Sequence, residues 1–228
     1  MIVAIDGPAG SGKSTVAHAI AERCGLTYLD TGAMYRCVTL ACLEKGISLE
    51  DTEAMAQIAR EVRIEFGTSE HGQTVILNGK DVTADIRTPQ IDRTVSIVSA
   101  VPEVREAMVV LQRAVGEQGS VVAEGRDIGT VVYPNAEVKV FLTANAEARA
   151  HRRAVQREGK DAATDSSATA DSAKEQQILE DIRRRDELDS SRSAAPLKPA
   201  EDAHHIDSSS MGVDDVVNEV IRLMEEAR

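Results

Sequence analysis

Aromatic residues are scarce in this chain of 228 residues: tryptophan is absent, and only three tyrosines and two phenylalanines occur. Proteins that hold single-stranded nucleic acid depend on aromatic side chains against which the bases stack. Positive charge is also in the minority, with 26 Lys and Arg against 38 Asp and Glu and a formal net charge of -12. We therefore expect neither nucleic acid nor an anionic membrane as a partner, and any bound phosphate needs locally clustered Lys and Arg.

Cysteines and long apolar runs are also few. The three cysteines, Cys24, Cys37 and Cys42, show no CxxC spacing, which disfavours a disulfide framework or a zinc site and favours a reducing compartment. No stretch approaches the ~20 apolar residues of a membrane span. The N-terminal run Ile2–Ile5 is too short for a signal peptide. We expect a cytoplasmic protein, with a monomer as the default.

The length favours one large domain, or a single core with inserted segments. A chain of this size buries ~70% of the surface of its unfolded state, so it needs no disulfide or metal for stability. The hydrophobic content of 42% and the charged content of 28% are ordinary for a globular protein.

The beginning of the chain has the pattern of an α/β fold. Ile2–Ile5 is typical of a short buried strand, and the glycines and proline of Gly7–Gly12 require a loop. Ser14–Cys24 has the helical spacing of apolar residues and stops at Gly25. A strand, a glycine-rich loop and a helix in this order predict a parallel sheet flanked by helices.

Later segments predict an insert and further core strands. Apolar residues alternate within 62–82, and Asn78-Gly79 is a hairpin signal, so a small antiparallel sheet is expected there. Val121–Ala123 and Val138–Leu142 are typical of buried parallel strands. Asp161–Ala173 contains mainly Asp, Ala, Thr and Ser, and we interpret it as a mobile, solvated loop. Two further strands are expected, at Leu26–Leu29 and, as a polar last strand, at His205–Ile206. Helices are expected at Met34–Leu43, within 92–115 with a break at Pro102, from Ala146 onward, at Glu175–Leu188 and at Val213–Met224.

The run Gly7-Pro8-Ala9-Gly10-Ser11-Gly12-Lys13-Ser14 satisfies the phosphate-binding pattern G-x-x-x-x-G-K-[ST], between a strand and a helix as that motif requires. Glycines let backbone amides converge on phosphate oxygens, and the helix directs its positive dipole end to the same place. Lys13 adds a charge near the transferred phosphoryl group, and the Ser14 hydroxyl is a candidate Mg²⁺ ligand. The alternative is a chance glycine-rich turn.

Nucleotide binding alone does not define a reaction. The Asn-Lys-x-Asp motif of GTPases is missing, and the long domains of motor ATPases do not fit this chain, so small phosphotransferases remain. These enzymes need a second anion site and mobile arginines that cover the transfer. Two arginine clusters fit that need: Arg149, Arg152, Arg153 and Arg157 form the first, and Arg183, Arg184, Arg185 and Arg192 form the second. The alternative is that these arginines belong to solvated helix faces.

Several segments together resemble the bacterial cytidylate kinases, in the order found in that family and over nearly the whole chain. Glu124–Val132, with the sequence EGRDIGTVV, is the most specific of them. The adenylate kinase pattern D-G-[FY]-P-R is absent, and Glu124-Gly125-Arg126-Asp127 stands in the corresponding place. The other segments are Leu29–Arg36, Asp81–Thr83 with Ile86–Thr88, Ser96–Arg105, and Arg184–Asp186 through Asp189 and Arg192 to Ala195–Leu197.

The resemblance implies a P-loop kinase fold with a central parallel β-sheet flanked by helices, an acceptor-binding insert with a small antiparallel sheet, and a short lid. It implies one domain over residues 1–228, with its core in 1–30, 116–148 and 175–228. The acceptor-binding part is expected at about 31–115 and the lid at about 149–174, where Asp161–Ala173 departs from the family in being longer. His204-His205 departs from it in being polar, which puts the last strand in question.

The resemblance also implies roles for individual residues. Gly7 to Thr15 and Arg157 are expected to bind ATP, with Ser14 at the metal. Thr31, Arg36 and Arg126 are expected around the acceptor phosphate, since the guanidinium fork matches phosphate oxygens. The remaining expected contacts are Ser96, Arg105 and Asp127 at the pyrimidine edge, Arg185 and Asp189 at the ribose, Arg192 at the phosphates, and Lys13, Arg126, Asp127, Arg152 and Arg153 in catalysis.

The expected reaction is in-line transfer of the ATP γ-phosphoryl group to CMP or dCMP, with Mg²⁺ as the cofactor. The acceptor phosphate is already anionic near neutral pH, so positioning and charge neutralisation suffice without a general base. Two alternatives stay open at this point: a kinase for another small acceptor such as UMP or a sugar acid, and an ATP-sensing module without kinase activity.

Overall fold

The computed structural model describes residues 1–70, 72–157 and 172–228, and the side chains of residues 156, 157 and 172–175 lie outside that description. The described chain forms two compact units, Met1–Leu29 with Val115–Arg228, and Asp30–Ala114. The helices are α1 (Lys13–Cys24), α2 (Thr31–Glu44), α3 (Thr52–Glu61), α4 (Pro89–Val98), α5 (Pro102–Gly116), α6 (Ala146–Arg157), α7 (Ser172–Ser191) and α8 (Val213–Glu226).

The first unit contains a five-stranded sheet in the order β2-β6-β1-β7-β8. The central strand β1 pairs in parallel with β6 on one side and with β7 on the other, and β7 pairs in parallel with β8. The sheet and its flanking helices confirm the predicted α/β core. Its strands are β1 (Ile2–Asp6), β2 (Thr27–Asp30), β6 (Val121–Gly125), β7 (Val138–Thr143) and β8 (His204–Asp207), and the remaining strands of the chain are β3 (Ile64–Ser69), β4 (Gly72–Leu77) and β5 (Lys80–Asp81).

Burial on both faces explains why the inner strands are uniformly apolar. Val3, Ile5 and Val122 are fully buried, and they belong to one cluster with apolar residues of α1 and α8. Each side chain of this size contributes about 1.5–3 kcal/mol when it is fully removed from water. This packing fixes the carboxyl end of β1, where the glycine-rich loop begins. None of the helices within the described residues is both long and apolar enough to cross a bilayer.

The second unit contains the predicted antiparallel sheet, with β4 between β3 and β5. Asn78 and Gly79 have φ of 52° and 84°, as the tight turn between β4 and β5 requires. The helices α3 and α4 both pack against α2. Pro102 begins α5, which explains the break in helical spacing that the sequence showed.

The helix α3 was not expected from the sequence. The polar last strand forms as predicted, as β8 at the edge of the sheet. The predicted loop Asp161–Ala173 lies outside the described residues except for its last two, Ser172 and Ala173, which begin α7.

Candidate active site

The glycine-rich loop connects the end of β1 to the start of α1 and depends on close backbone packing. Gly7 has a φ of +150°, and a Cβ at this residue would lie 2.0 Å from the carbonyl oxygen of Leu142 on β7. Gly10 and Gly12 have φ of 78° and 94°, a backbone region that L side chains rarely adopt. The loop therefore needs glycine at these positions to keep its amides close to a bound phosphate.

Lys13 is the first residue of α1, and its side chain is buried, with 5% exposure. The ammonium group donates to the carbonyl oxygen of Pro8 at 2.8 Å, within the same loop. Burial, followed by the nearby Arg126 guanidinium, lowers the pKa of Lys13 to about 7, against the opposing carboxylates of Glu124 and Asp6. An incoming phosphate would favour the charged form of this lysine by direct attraction.

Hydroxyl oxygens that could bind a metal ion occur in the glycine-rich loop and in the first turn of α1. The Ser11 hydroxyl is buried and has no hydrogen-bond partner within the described residues. The hydroxyls of Ser14 and Thr15 lie in the exposed first turn of α1. Within the described residues, no group of three or more His, Cys, Asp or Glu side chains could hold a metal. A lone serine oxygen fits Mg²⁺, which takes most of its ligands from phosphates and water.

Arginines and one buried aspartate form a charged cluster in the same unit. The Nε of Arg126 donates to Oδ2 of Asp189 at 2.8 Å, and the Nε of Arg185 lies 3.9 Å from the same oxygen. Burial would raise the pKa of Asp189, but the guanidinium groups of Arg126, Arg185 and Arg192 hold it below its ordinary value. The structure thus brings together four residues that the resemblance assigned to acceptor binding.

The Asp6 carboxylate connects the end of β1 to the turn that follows β6. Oδ1 accepts from the backbone N–H of Ile128 at 2.8 Å, and Oδ2 accepts from that of Gly129 at 2.7 Å. Asp127 precedes this turn and is buried, with 3% exposure. Burial is the largest effect on Asp6 and raises the pKa of its carboxyl to about 6, despite the two backbone hydrogen bonds.

The raised pKa predicts a pH-dependent contribution of Asp6 to stability. Because the folded state binds this proton more tightly than the unfolded state, the contribution is greatest below pH 3.8 and is lost as the pH rises through about 6. The unfolding free energy of the wild type, minus that of Asp6→Asn, should fall by about 3 kcal/mol from pH 3.5 to 7. Chemical denaturation at several pH values measures this difference, and a constant difference would contradict it.

Two arginines of α6 contact the glycine-rich loop or its neighbours. A guanidinium nitrogen of Arg149 donates to the carbonyl oxygen of Ala9 at 3.0 Å and lies 2.7 Å from a carboxylate oxygen of Asp186. Arg152 donates to the carbonyl oxygen of Ser208 at 2.6 Å and to its hydroxyl at 3.1 Å. One nitrogen of Arg152 would lie 3.9 Å from a Cβ built at Gly12, so this arginine is next to the loop.

The other two arginines predicted from α6 are less defined in their surroundings. Arg153 lies in α6 and is partly buried, and the side chain of Arg157 is outside the described residues. Sequence reasoning did not identify Ser208, whose hydroxyl lies within hydrogen-bond distance of the carbonyl oxygens of Ser11 and Thr143. Three consecutive serines, Ser208–Ser210, follow the polar strand, and nothing in that pattern singled out the first of them.

The second unit holds four further predicted acceptor residues. Thr31 is buried in the first turn of α2, and Ser96 is buried in α4. Arg36 donates to the carbonyl oxygen of Ile86 at 2.8 Å and to the Asp92 carboxylate at 2.5 Å.

Arg105 is also buried in this unit, with 4% exposure. It donates to the carbonyl oxygen of Ser99 at 3.0 Å, and its guanidinium carbon lies 5.1 Å from the centre of the Tyr35 ring. The half-buried Arg36 and the buried Arg105 are held in fixed orientations by carbonyl, carboxylate and aromatic contacts, as a phosphate or base site requires.

A family model described as "Cytidylate kinase" matches residues 3–226. The chain belongs to the cytidylate kinase family. This assignment agrees with the resemblance inferred from the EGRDIGTVV segment and the other segments named with it.

Relatives of the cytidylate kinase family match almost end to end. The protein named cytidylate kinase from Rhodococcus opacus (strain B4) is 46% identical over 99% of this chain and 95% of its own length. The one from Shouchella clausii (strain KSM-K16) is 46% identical over 98% and 96%. A solved structure of an uncharacterized protein from Eubacterium ventriosum ATCC 27560 has a TM-score of 0.51 at 15% identity, covers 99% of this chain and 98% of that one, and is similar in fold alone.

Proposed function

We propose that this chain transfers the γ-phosphoryl group of ATP to CMP or dCMP, giving ADP and CDP or dCDP. The observation that carries the proposal is the cytidylate kinase family match over residues 3–226. The glycine-rich loop with its buried lysine supports the donor half of the reaction, and the Arg126–Asp189 cluster supports the acceptor half.

The donor half is the loop from Gly7 to Thr15, with Arg157 as a further ATP contact. Its backbone amides and the start of α1 would hold the phosphates of ATP. Lys13 would neutralise negative charge as it spreads over the transferred group. The Ser14 hydroxyl would be one ligand of Mg²⁺, which supplies electrostatic stabilisation of the phosphate oxygens when bound.

Nine residues are proposed for the acceptor half. We assign Thr31, Arg36 and Arg126 to the acceptor phosphate, and Arg185, Asp189 and Arg192 to the ribose and phosphates. A carboxylate that Arg126 already contacts at 2.8 Å fixes that guanidinium, so less conformational entropy is lost when phosphate binds. We assign Ser96, Arg105 and Asp127 to the base, where a carboxylate accepts from the amino group of cytosine.

The chain divides by role in the same proposal. Residues 1–30, 116–148 and 175–228 form the core, about 31–115 bind the acceptor, and about 149–174 cover the transfer as a lid. Arg152 and Arg153 would approach the transferred phosphoryl group from α6, which contacts the loop through Arg149. Such a cover excludes water, which would otherwise compete with the acceptor. We also propose a cytoplasmic monomer without nucleic acid or membrane partners.

A panel of acceptors with Mg-ATP tests this function. ADP formation should require an acceptor and should be fastest with CMP or dCMP. UMP, AMP and a sugar acid serve as competing acceptors, and a reaction without acceptor is the control. Preference for another acceptor would assign the chain to a different small-molecule kinase, and ADP formation independent of acceptor would contradict kinase activity.

A further inference from the structure

The Asp6 carboxylate is placed to hold a neighbouring turn rather than to contact a nucleotide itself. It is 4% exposed, and its two oxygens accept separately from the N–H groups of Ile128 and Gly129 at 2.8 and 2.7 Å. Two successive amides directed at one carboxylate form an anion-binding concavity of the main chain. Hydrogen bonds to an ionised acceptor are roughly twice as strong as neutral ones.

The turn that Asp6 holds follows directly after Arg126 and Asp127. Its backbone is irregular: Ile128–Val132 is a single π-helical turn, and the Asp127 carbonyl accepts from Val131 at 2.8 Å. π-helical turns are rare in proteins, and those that occur are frequently found at functional sites. To the internal hydrogen bonds of this turn, Asp6 adds two from outside it, at the N–H groups of Ile128 and Gly129.

Gly129 is enclosed from a second direction, which leaves the turn little room to move. A Cβ there would lie 3.2 Å from Cδ of Lys139 and 3.4 Å from Oδ2 of Asp6. The ammonium group of Lys139 is anchored by Asp202, at 2.7 and 2.9 Å to its two oxygens. The glycine is thus packed between the lysine side chain and the aspartate, and this allows the short bond to Asp6.

We propose that Asp6 is a positioning residue for base selection: by binding the amides of Ile128 and Gly129, it fixes the orientation of Asp127 toward the acceptor base. This inference rests on the proposed function. Asparagine at position 6 offers only one accepting oxygen, and its NH₂ group would face a second N–H donor. The turn would then lose one bond and gain a donor–donor contact, although the side chain has nearly the same shape.

The test compares full-length wild type, Asp6→Asn and the control Glu137→Gln. Glu137 accepts from the N–H of Ile2 at 2.7 Å, so the control changes a carboxylate that binds the opposite end of β1 from Asp6. The measured quantity is kcat/KM for CMP divided by kcat/KM for UMP, because effects on ATP cancel in this ratio. Asp6→Asn should lower the ratio about tenfold, as expected for the loss of one hydrogen bond to a charged acceptor, and Glu137→Gln should leave it unchanged.

The outcomes separate the inference from the proposed function. Wild type that does not phosphorylate CMP would contradict the function, whereas active wild type with an unchanged ratio in Asp6→Asn would overturn the role of Asp6. If the variant does not fold, amide NMR of the wild type decides the matter. Asp127 and Lys13 are the charged groups that influence Asp6. As the pH is changed, the amide resonances of Ile128 and Gly129 should follow one common titration, that of the Asp6 carboxyl, and both should shift when CMP is added. Separate titrations of the two amides, or no shift with CMP, would overturn the inference.

Discussion

Replacement of Lys13 by alanine should lower kcat about 10²–10³-fold, the loss typical of removing one preorganised charge-stabilising group. The ammonium group lies in a buried environment, where its attraction for phosphate is only weakly screened by water. No other lysine lies within the glycine-rich loop. The turnover number is measured from ADP formation with CMP and saturating Mg-ATP.

The same variant should keep its fold. Burial lowers the pKa of Lys13 to about 7, so the charged side chain is held at a cost to the folded state near neutral pH. Alanine removes that cost, and with it the hydrogen bond to Pro8 and the attraction of the Glu124 and Asp6 carboxylates, which only partly offset the burial of the charge. Thermal unfolding should therefore show equal or greater stability. Lys198→Ala, an exposed lysine of the same unit, is the control and should keep full turnover; near-normal turnover in Lys13→Ala would contradict the assigned role.

The elements with a strong local sequence signal were predictable, whereas helix α3, whose apolar signal is weak, was not. The strands β1, β6 and β7 are short apolar runs, and the Asn78-Gly79 turn has a specific sequence signal. By contrast, α3 presents Ala56 and Ala59 beside Met55 and Ile58 as its buried face. Small alanines give a weak apolar signal, although the Asp51 side chain caps the helix by accepting from Ala54 at 2.9 Å.

The polar last strand illustrates how position in a sheet overrides composition. The strand β8 pairs with β7 and, among the described residues, lies at the edge of the sheet. Ile206 is its buried residue, whereas His204, His205 and Asp207 are exposed. An edge strand needs only one apolar contact with the core, so polar side chains are compatible with it. Sequence alone did not show which strand would be the edge.

The site was predictable where a motif specifies chemistry and unpredictable where it depends on the geometry of packing. The glycine-rich loop and the EGRDIGTVV segment named Lys13, Arg126 and Asp127 as candidates. The arginine cluster did not show that Arg149 would contact the carbonyl oxygen of Ala9 whereas Arg152 would contact Ser208. Side chains three positions apart share a helix face, so their separate partners depend on the tertiary packing around that face, about which charge counts carry no information. The site assignments themselves stay predictions.

Replacement of Asp127 by alanine should reduce the preference for CMP over UMP about 100-fold. Cytosine presents an amino donor where uracil presents a carbonyl oxygen, so a buried carboxylate binds the first and repels the second. Asp127 is 3% exposed, which limits the ability of water to replace the lost contact. The ratio of kcat/KM values for the two nucleotides measures the effect.

The main chain of the turn should survive this substitution, because the Asp127 carbonyl oxygen accepts from the N–H groups of Val131 and Val132. Asp214→Ala is a matched control in α8, where an exposed aspartate pairs with Arg23. In Asp127→Asn, the amide can turn to present either its oxygen or its NH₂ group, so this variant should accept UMP better than the wild type while retaining part of its CMP activity. If both Asp127 variants kept the wild-type ratio, base selection would belong to Ser96 and Arg105, and Asp127 would have no part in it.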